Sequence, residues 1–321
     1  MSDATHRYVL ALEIGEEAIR QGKWQQALTC FQTALTGLPR EPRIYNGLGD
    51  THLALSDRGR ALACYKEAAR LAGDNPEYVH KVAQVQELLG LVPDAARSLL
   101  VSGDLFWRQG LPELAEVQWA HALELRKDLI AARERLALAF RHRGDETGAT
   151  RHFLELAEML RRDGRCLMAL HVCYTIMKDR ADDETVWATT DRAWRCVALR
   201  DRRENPQEAR IEPGDLLNAA AEFAQWQLAA EIRQSTFTNG HTPHPEAFIF
   251  LRQAMLNEGY GRAGVAISFY EKAAAAGLAP PALFFTLGLI YRLVGRKHDE
   301  RAAHSLAARH PFYRRAVALL D

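Results

Sequence analysis

Side chains able to do chemistry are sparse in this sequence. His241 and His244, in GHTPHP, carry imidazoles of the kind that ligate divalent metals, but they supply only half of a tetrahedral set and no third ligand stands nearby. Cys166, His171 and Cys173 fall within one helical stretch. A seven-residue separation puts the two sulfurs roughly 10 Å apart along a helix axis, too far for one shared ion. Packing accounts for them better. No glycine-rich phosphate loop, HExxH, paired CxxC or nucleophile elbow occurs. The expectation is a non-catalytic chain with no cofactor and no bound metal.

Basic clusters receive the same treatment. Arg161, Arg162 and Arg165, like Arg141, His142 and Arg143, stand where helices end, and cations there complement the helix dipole. Arg200, Arg202 and Arg203 alternate with Asp201 and Glu204. The 41 basic and 41 acidic side chains cancel, which argues against nucleic acid or an anionic membrane as the main partner. Trp24, Trp107, Trp119, Trp187, Trp194 and Trp226 are expected at interhelical packing sites rather than in a ligand cage.

The elements that must position any site form a periodic series. In GKWQQALTCFQTALTGLP, residues 22–39, Ala27, Phe31 and Ala34 share one helical face, so a partner helix approaches beside each alanine while the ring fills the gap. Ala27, Ala61 and Ala95 stand 34 residues apart, as do Phe31, Tyr65 and Leu99, and Gly15 and Gly49 repeat the step. Turn signals close the units at LPREP (38–42) and GDNP (73–76). The step then becomes 20 from Ala95 to Ala115, 34 to Ala149 and 20 to Ala169. This slip predicts either an exchange of inner and outer helices over 112–165 or a local irregularity. Alternating strand patterns are absent, so the fold class is all-α.

A 34-residue period of two helices resembles the tetratricopeptide repeat. Ile14-Gly15, Gly22, Trp24, Ala27, Phe31, Ala34 and Pro39 match in the first unit. Tyr45, Leu48, Gly49, Ala61, Tyr65 and Ala68 match in the second, and Leu287-Gly288 and Tyr291 near the C-terminus. The resemblance is closest at 8–76 and 247–295, less so at 77–178 and poor at 180–245. It implies a right-handed α-solenoid of tetratricopeptide-like helical hairpins, in which each repeat buries its apolar face against its neighbours. The expected organisation is an N-terminal array at 1–199, a charge-dense linker at 200–213 and a C-terminal array at 214–321 ending in a capping helix. A second loop is expected at 235–246.

The resemblance also implies a role. Tetratricopeptide arrays are scaffolds whose first helices line a concave groove that takes a peptide or helix of another protein. On that basis the groove comprises Leu12, Glu16, Asn46, Asp50, His80, Gln84 and Glu87, and in the C-terminal array Phe248, Leu251, Met255, Phe285 and Leu289. The first set leans acidic and suits a partner segment bearing Lys or Arg plus an apolar anchor. A terminal-carboxylate clamp known in one branch is not expected, because Leu12, Glu16, Glu77 and Lys81 leave a single cation at the matching positions.

The C-terminal set is an apolar strip. It is expected to lie under the amphipathic segment 310–321, with Phe312, Ala316, Leu319 and Leu320 on one side; a partner helix or second copy of the chain is the alternative occupant. The N-terminus lacks a secretion signal pattern, no run of about 18 apolar residues occurs, and the five cysteines are odd in number and scattered, which together suit the cytoplasm. The expected function is a cytoplasmic scaffold or adaptor. A structural or regulatory subunit of a larger enzyme complex is the alternative, and an RNA-binding helical-repeat protein ranks below it.

Overall fold

The computed structural model describes residues 3–199, 211–237 and 245–320. Among them every regular element is an α-helix, and contacts divide the chain into two compact units, residues 1–152 and 153–321. The first unit contains α1 (Asp3–Arg20), α2 (Trp24–Gly37), α3 (Pro42–Ala54), α4 (Arg58–Ala72), α5 (Pro76–Leu88), α6 (Val92–Arg108), α7 (Pro112–Leu125) and α8 (Ile130–His142). Helix α9 (Glu146–Arg162) has residues in both units. The second unit continues with α10 (Cys166–Met177), α11 (Glu184–Leu199), α12 (Pro213–Phe237), α13 (Pro245–Gly259), α14 (Ala263–Ala275), α15 (Pro281–Leu293), α16 (Lys297–Ala307) and α17 (Pro311–Val317).

Helix ends are set locally. Pro42 and Pro76 sit at the first helical positions, where a missing N–H leaves no bond unmade. The preceding residues cap: Glu41 accepts the Arg43 N–H at 3.3 Å and Asn75 accepts the Glu77 N–H at 2.9 Å. Gly90 and Gly110, with φ of 74° and 75°, take the left-handed turn after α5 and α6.

In the α1–α2, α3–α4 and α6–α7 hairpins a ring faces a glycine sixteen positions earlier in the chain. Tyr65 of α4 lies against Gly49 of α3, where a Cβ would come 2.5 Å from the ring. Phe31 of α2 is held between Gly15 of α1, at 2.9 Å, and Gly47 of α3, which is closer still. Trp119 of α7 occupies the same slot against Gly103 of α6, and Leu99 joins Ala83 in one core cluster.

These pairs show that α6 is shared. Through Leu99 it is the second helix of the α5–α6 hairpin, and one turn later, through Gly103, it is the first helix of the α6–α7 hairpin. The 20-residue step from Ala95 to Ala115 therefore records a change of parity inside one long helix. Stacking in series is preserved because each face of α6 still meets a close-packed neighbour.

In the second unit α10 pairs with α11, α13 with α14 and α15 with α16, while α12 packs against α11, α13 and α15. Helix α17 lies on α10, α12, α15 and α16. Phe312 and Tyr313 are fully buried. Phe312 stands 5.1 Å from Trp194 and 4.9 Å from Phe223, and the Tyr313 hydroxyl donates to Gln227 at 2.6 Å. Arg315 adds an ion pair to Asp191 of α11 at 2.5 Å. This aromatic cluster ties α10 and α11 to the C-terminal helices within the second unit, and the contact boundary falls at 152/153; part of the composition break of 200–213 cannot be placed against it. Residues 200–210 of that stretch lie outside the described residues, as do His241 and His244.

Candidate partner-binding face

In the first unit, the expected groove residues form a ladder that crosses from helix to helix. Arg43 of α3 donates from Nε and Nη2 to the two carboxylate oxygens of Glu16 on α1, at 3.0 and 2.7 Å. Lys81 of α5 donates to Asp50 of α3 at 2.6 and 2.9 Å and to the Asn46 Oδ1 at 2.9 Å. The Tyr65 hydroxyl donates to Asp50 at 2.7 Å, and burial together with this bond pushes the phenol's pKa well above its usual value. His80 pairs with Gln118 of α7 at 2.7 Å and with Gln84 at 3.0 Å, which fits a ring donating from Nδ1 and accepting at Nε2. Glu87 meets His121 of α7 at 3.3 Å.

The consequence for charge is direct. Glu16 and Asp50 each already hold a cation from the next first helix, and Glu87 meets a histidine of α7, so this part of the face is a strip of paired polar groups. That corrects the open acidic character read from Glu16 and Asp50. Such half-exposed pairs contribute about 0–1 kcal/mol each; their larger effect is to hold α1, α3, α5 and α7 in fixed register.

Three of the expected groove side chains are core instead. Leu12, Leu251 and Phe285 are 3%, 0% and 0% exposed. Position within the repeat placed them outward, but a large apolar side chain beside a close helix contact gains more by turning in. Phe248, Met255 and Leu289 are half-buried. The Phe285 ring sits 4.9 Å from that of Tyr313, so α17 covers this part of the apolar strip. Tyr313, which is not among the residues expected on the buried side, makes that contact.

The remaining candidates disperse. Cys166 forms a disulfide with Cys196 of α11, with Cα atoms 5.7 Å apart, so packing alone does not account for Cys166. His171 packs on Trp226 with centroids 5.3 Å apart, and burial pushes the Cys173 thiol up to about 11. Among the described residues no group of three metal-ligating side chains converges. Arg161 and Arg162 are held by Glu158, whose carboxyl is drawn down to about 2, chiefly by its hydrogen bond from Arg161. Arg143 pairs with Glu116 at 2.5 Å and lies over Phe140. Trp119 and Trp194 are core, while Trp24, Trp107, Trp187 and Trp226 are half-buried.

Hairpins nested through a small residue and a large side chain, with polar ladders linking alternate helices, define a helical-hairpin repeat architecture. A tetratricopeptide-repeat family model matches residues 12–76 and 82–128. The matched stretches of the first unit are tetratricopeptide repeats, and the second of them includes the shared helix α6.

Solved structures similar to it include MamA residues 41 to the end from Desulfovibrio magneticus RS-1 (18% identity, 50% of this chain and 98% of that one, TM-score 0.28). PilF of Pseudomonas aeruginosa is another (14%, 69% and 100%, 0.30), as is the P58(IPK) TPR domain (16%, 90% and 99%, 0.27). Scores this low carry no argument about function. No curated protein matches the chain.

Proposed function

We propose that this protein is a non-catalytic scaffold or adaptor that holds a peptide segment or helix of another protein along the face of α1, α3, α5 and α7. The observation that carries the reading is the ladder from Glu16 to His121, which fixes donors and acceptors on four helices before any partner arrives. Preorganisation of that kind lowers the ordering cost of binding. Asn46, half-buried, and Gln84, exposed, then offer amides to an extended backbone, and the paired polar groups suit a segment of mixed polar and apolar character, such as a basic residue beside an apolar anchor.

Charge reversal is a poor test, since it would break the ladder itself. Asn46→Ala with Gln84→Ala removes two amides and leaves the Lys81–Asp50 pair. Partner recovered from native extract is expected to fall about tenfold at unchanged melting temperature, a typical loss when well-placed interface groups are truncated. Equal recovery would reject the α1–α7 face.

A second reading, a structural or regulatory subunit of a larger complex using its outer surface, draws on the turn after α5. Leu88, Leu89 and Leu91 there are 48%, 39% and 40% exposed. Fixed-stoichiometry co-elution at native abundance favours it over the adaptor.

Among the described residues no helix is long and apolar enough to cross a membrane. The proposal keeps the chain in the cytoplasm, and the Cys166–Cys196 disulfide speaks against that compartment, since such bonds are rare where thiols are kept reduced. Rapid alkylation and mass spectrometry of the natively expressed protein checks this; a fully oxidised pair would assign an oxidising compartment instead.

A further inference from the structure

A cleft of roughly 550 Å³ opens in the second unit between the end of α15, the start of α16 and the end of α17. Its one buried lining residue is His304, whose ring fills the slot beside Gly288, sixteen positions earlier, as Tyr65 does beside Gly49. The remaining polar lining is basic: Arg292, Lys297 and Arg301 face a single carboxylate, Glu300. Arg292 takes that carboxylate at 3.6 Å and donates to the Leu320 carbonyl at 2.9 Å. The other acid of the turn, Asp299, is held by Arg296 at 2.6 Å and faces His298 at 3.5 Å. Lys297 and Arg301 are exposed and make no ion pair among the described residues.

This placement runs against helix stability. Lys297 is the first residue of α16, where the helix dipole favours an anion. Arg301 follows four positions later on the same face, and like charges at that spacing repel. Both acids of the turn are already engaged, so nothing in the fold offsets the repulsion. The excess extends beyond the pair, since residues 281–320 hold seven Lys or Arg against two Asp or Glu in a chain whose totals balance. Local rules obeyed elsewhere and broken at one cleft mark a site kept for binding.

We infer that this cleft binds a phosphate monoester carried on a segment of another protein. A phosphoserine or phosphothreonine brings close to two negative charges and three acceptor oxygens, which match the two uncommitted cations. Lys297 and Arg301 stand on consecutive turns of one face, so ammonium and guanidinium close on the same phosphate, and the Ser305 hydroxyl one turn further on lines the same cleft. Ala308, Val317 and Leu320 give the residues beside the phosphate an apolar edge to lie on. Single-stranded nucleic acid is a poorer fit, because no Trp, Tyr or Phe lines the cleft to stack a base. The inference shares with the proposed function only the class of partner, and none of its residues belongs to the ladder.

Three fluorescein-labelled heptapeptides test it on the full chain by anisotropy: AGASAGA, its phosphoserine form and AGAEAGA. The phosphopeptide is expected to bind about tenfold or more tighter than either other probe. Lys297→Gln with Arg301→Gln is expected to remove that preference while the melting temperature stays level or rises, because two unfavourable charges leave the start of α16. The Asn46→Ala, Gln84→Ala variant is expected to bind the phosphopeptide like wild type, which separates this site from the ladder. Asp321 follows Leu320 in the sequence and lies outside the described residues; Asp321→Asn is expected to change the affinity by no more than about twofold. Vesicles of phosphatidylserine and phosphatidylcholine are expected not to sediment the chain. Equal affinity for the three probes, no binding up to about 1 mM, or a preference that survives the double glutamine variant would each overturn the assignment. So would a gain of about tenfold in Asp321→Asn, which would make the chain's own acid the occupant, or vesicle sedimentation abolished by the glutamines, which would make the patch a membrane site.

Discussion

Gly47→Ala is expected to destabilise the protein by about 1–3 kcal/mol, although alanine favours a helix over glycine by about 1 kcal/mol. The sign depends on Phe31. Its ring is 0% exposed and is held between α1 and α3, where a Cβ on Gly15 would stand 2.9 Å away and one on Gly47 nearer still. The ring cannot withdraw from one without entering the other, so the overpacking term exceeds the propensity gain. Gly59 on α4 supplies the control: a Cβ there meets nothing closer than Asp57 Oδ1 at 3.8 Å. Gly59→Ala is expected to stabilise by about 0.5–1 kcal/mol.

Phe31→Ala alone is expected to cost about 3–5 kcal/mol. On that background Gly47→Ala turns neutral or stabilising, since the ring it would strike is gone, and the double-mutant cycle shows strong coupling. Urea unfolding of the four species measures it. If Gly47→Ala stabilises the wild-type chain as Gly59→Ala does, the slot is loose and the ring rule does not hold the hairpins together.

That slot illustrates what the sequence discloses. The period of Ala27, Ala61 and Ala95 is visible because each alanine marks a close contact that must recur once per hairpin. Gly47 escapes the same reading, because its contact reaches from one hairpin to the ring of the previous one, and no repeat within a unit announces it. The ladder follows the same logic. Glu16 and Asp50 are visible as candidate face positions, yet their partners Arg43 and Lys81 lie 27 and 31 residues on. Which cation meets which carboxylate depends on how far successive hairpins are offset.

Two further features required knowledge of packing that periodicity does not hold. The double use of α6 leaves two small traces in the sequence, the 20-residue step from Ala95 to Ala115 and Gly103 standing sixteen residues before Trp119, the interval already present between Gly49 and Tyr65. The Cys166–Cys196 pair joins antiparallel neighbours across a separation of 30, and an odd cysteine count conceals it. At the C-terminus the amphipathic pattern of Phe312 and Ala316 predicted a helix with a buried side. The surface it covers includes α10, far earlier in the chain.

Acid is expected to loosen α17, and His310 is the group responsible. Its ring stacks on Tyr174 with centroids 3.8 Å apart, and its Nδ1 accepts the Phe312 N–H at 3.2 Å, capping the helix. Burial first, and the charge of Lys178 second, hold its pKa down to about 4 from an ordinary 6.5. A protonated Nδ1 cannot accept, so the cap and the neutral ring are lost together. Because the folded pKa lies below the unfolded one, the unfolded state binds more protons in the interval between them. The stabilisation is complete above pH 6.5 and is lost as pH falls toward 4. His310 is partly open to water, which screens the effect, so the loss is about 1–2 kcal/mol rather than the full amount the shift implies.

His171 on α10, also depressed by burial, acts in the same direction, so the two must be separated. His310→Asn keeps a side-chain cap acceptor but does not titrate, and it is expected to flatten the stability–pH curve between 6.5 and 4 down to the His171 share. Phe312→Ala, by contrast, is expected to cost about 3–5 kcal/mol at every pH, because it empties the contact with Trp194 and Phe223. Hydrogen exchange across 311–317 reads both. An unchanged acid response in His310→Asn, or protection of α17 that survives Phe312→Ala, would mean that the helix is held by Arg315 and Asp191 and not by the aromatic cluster.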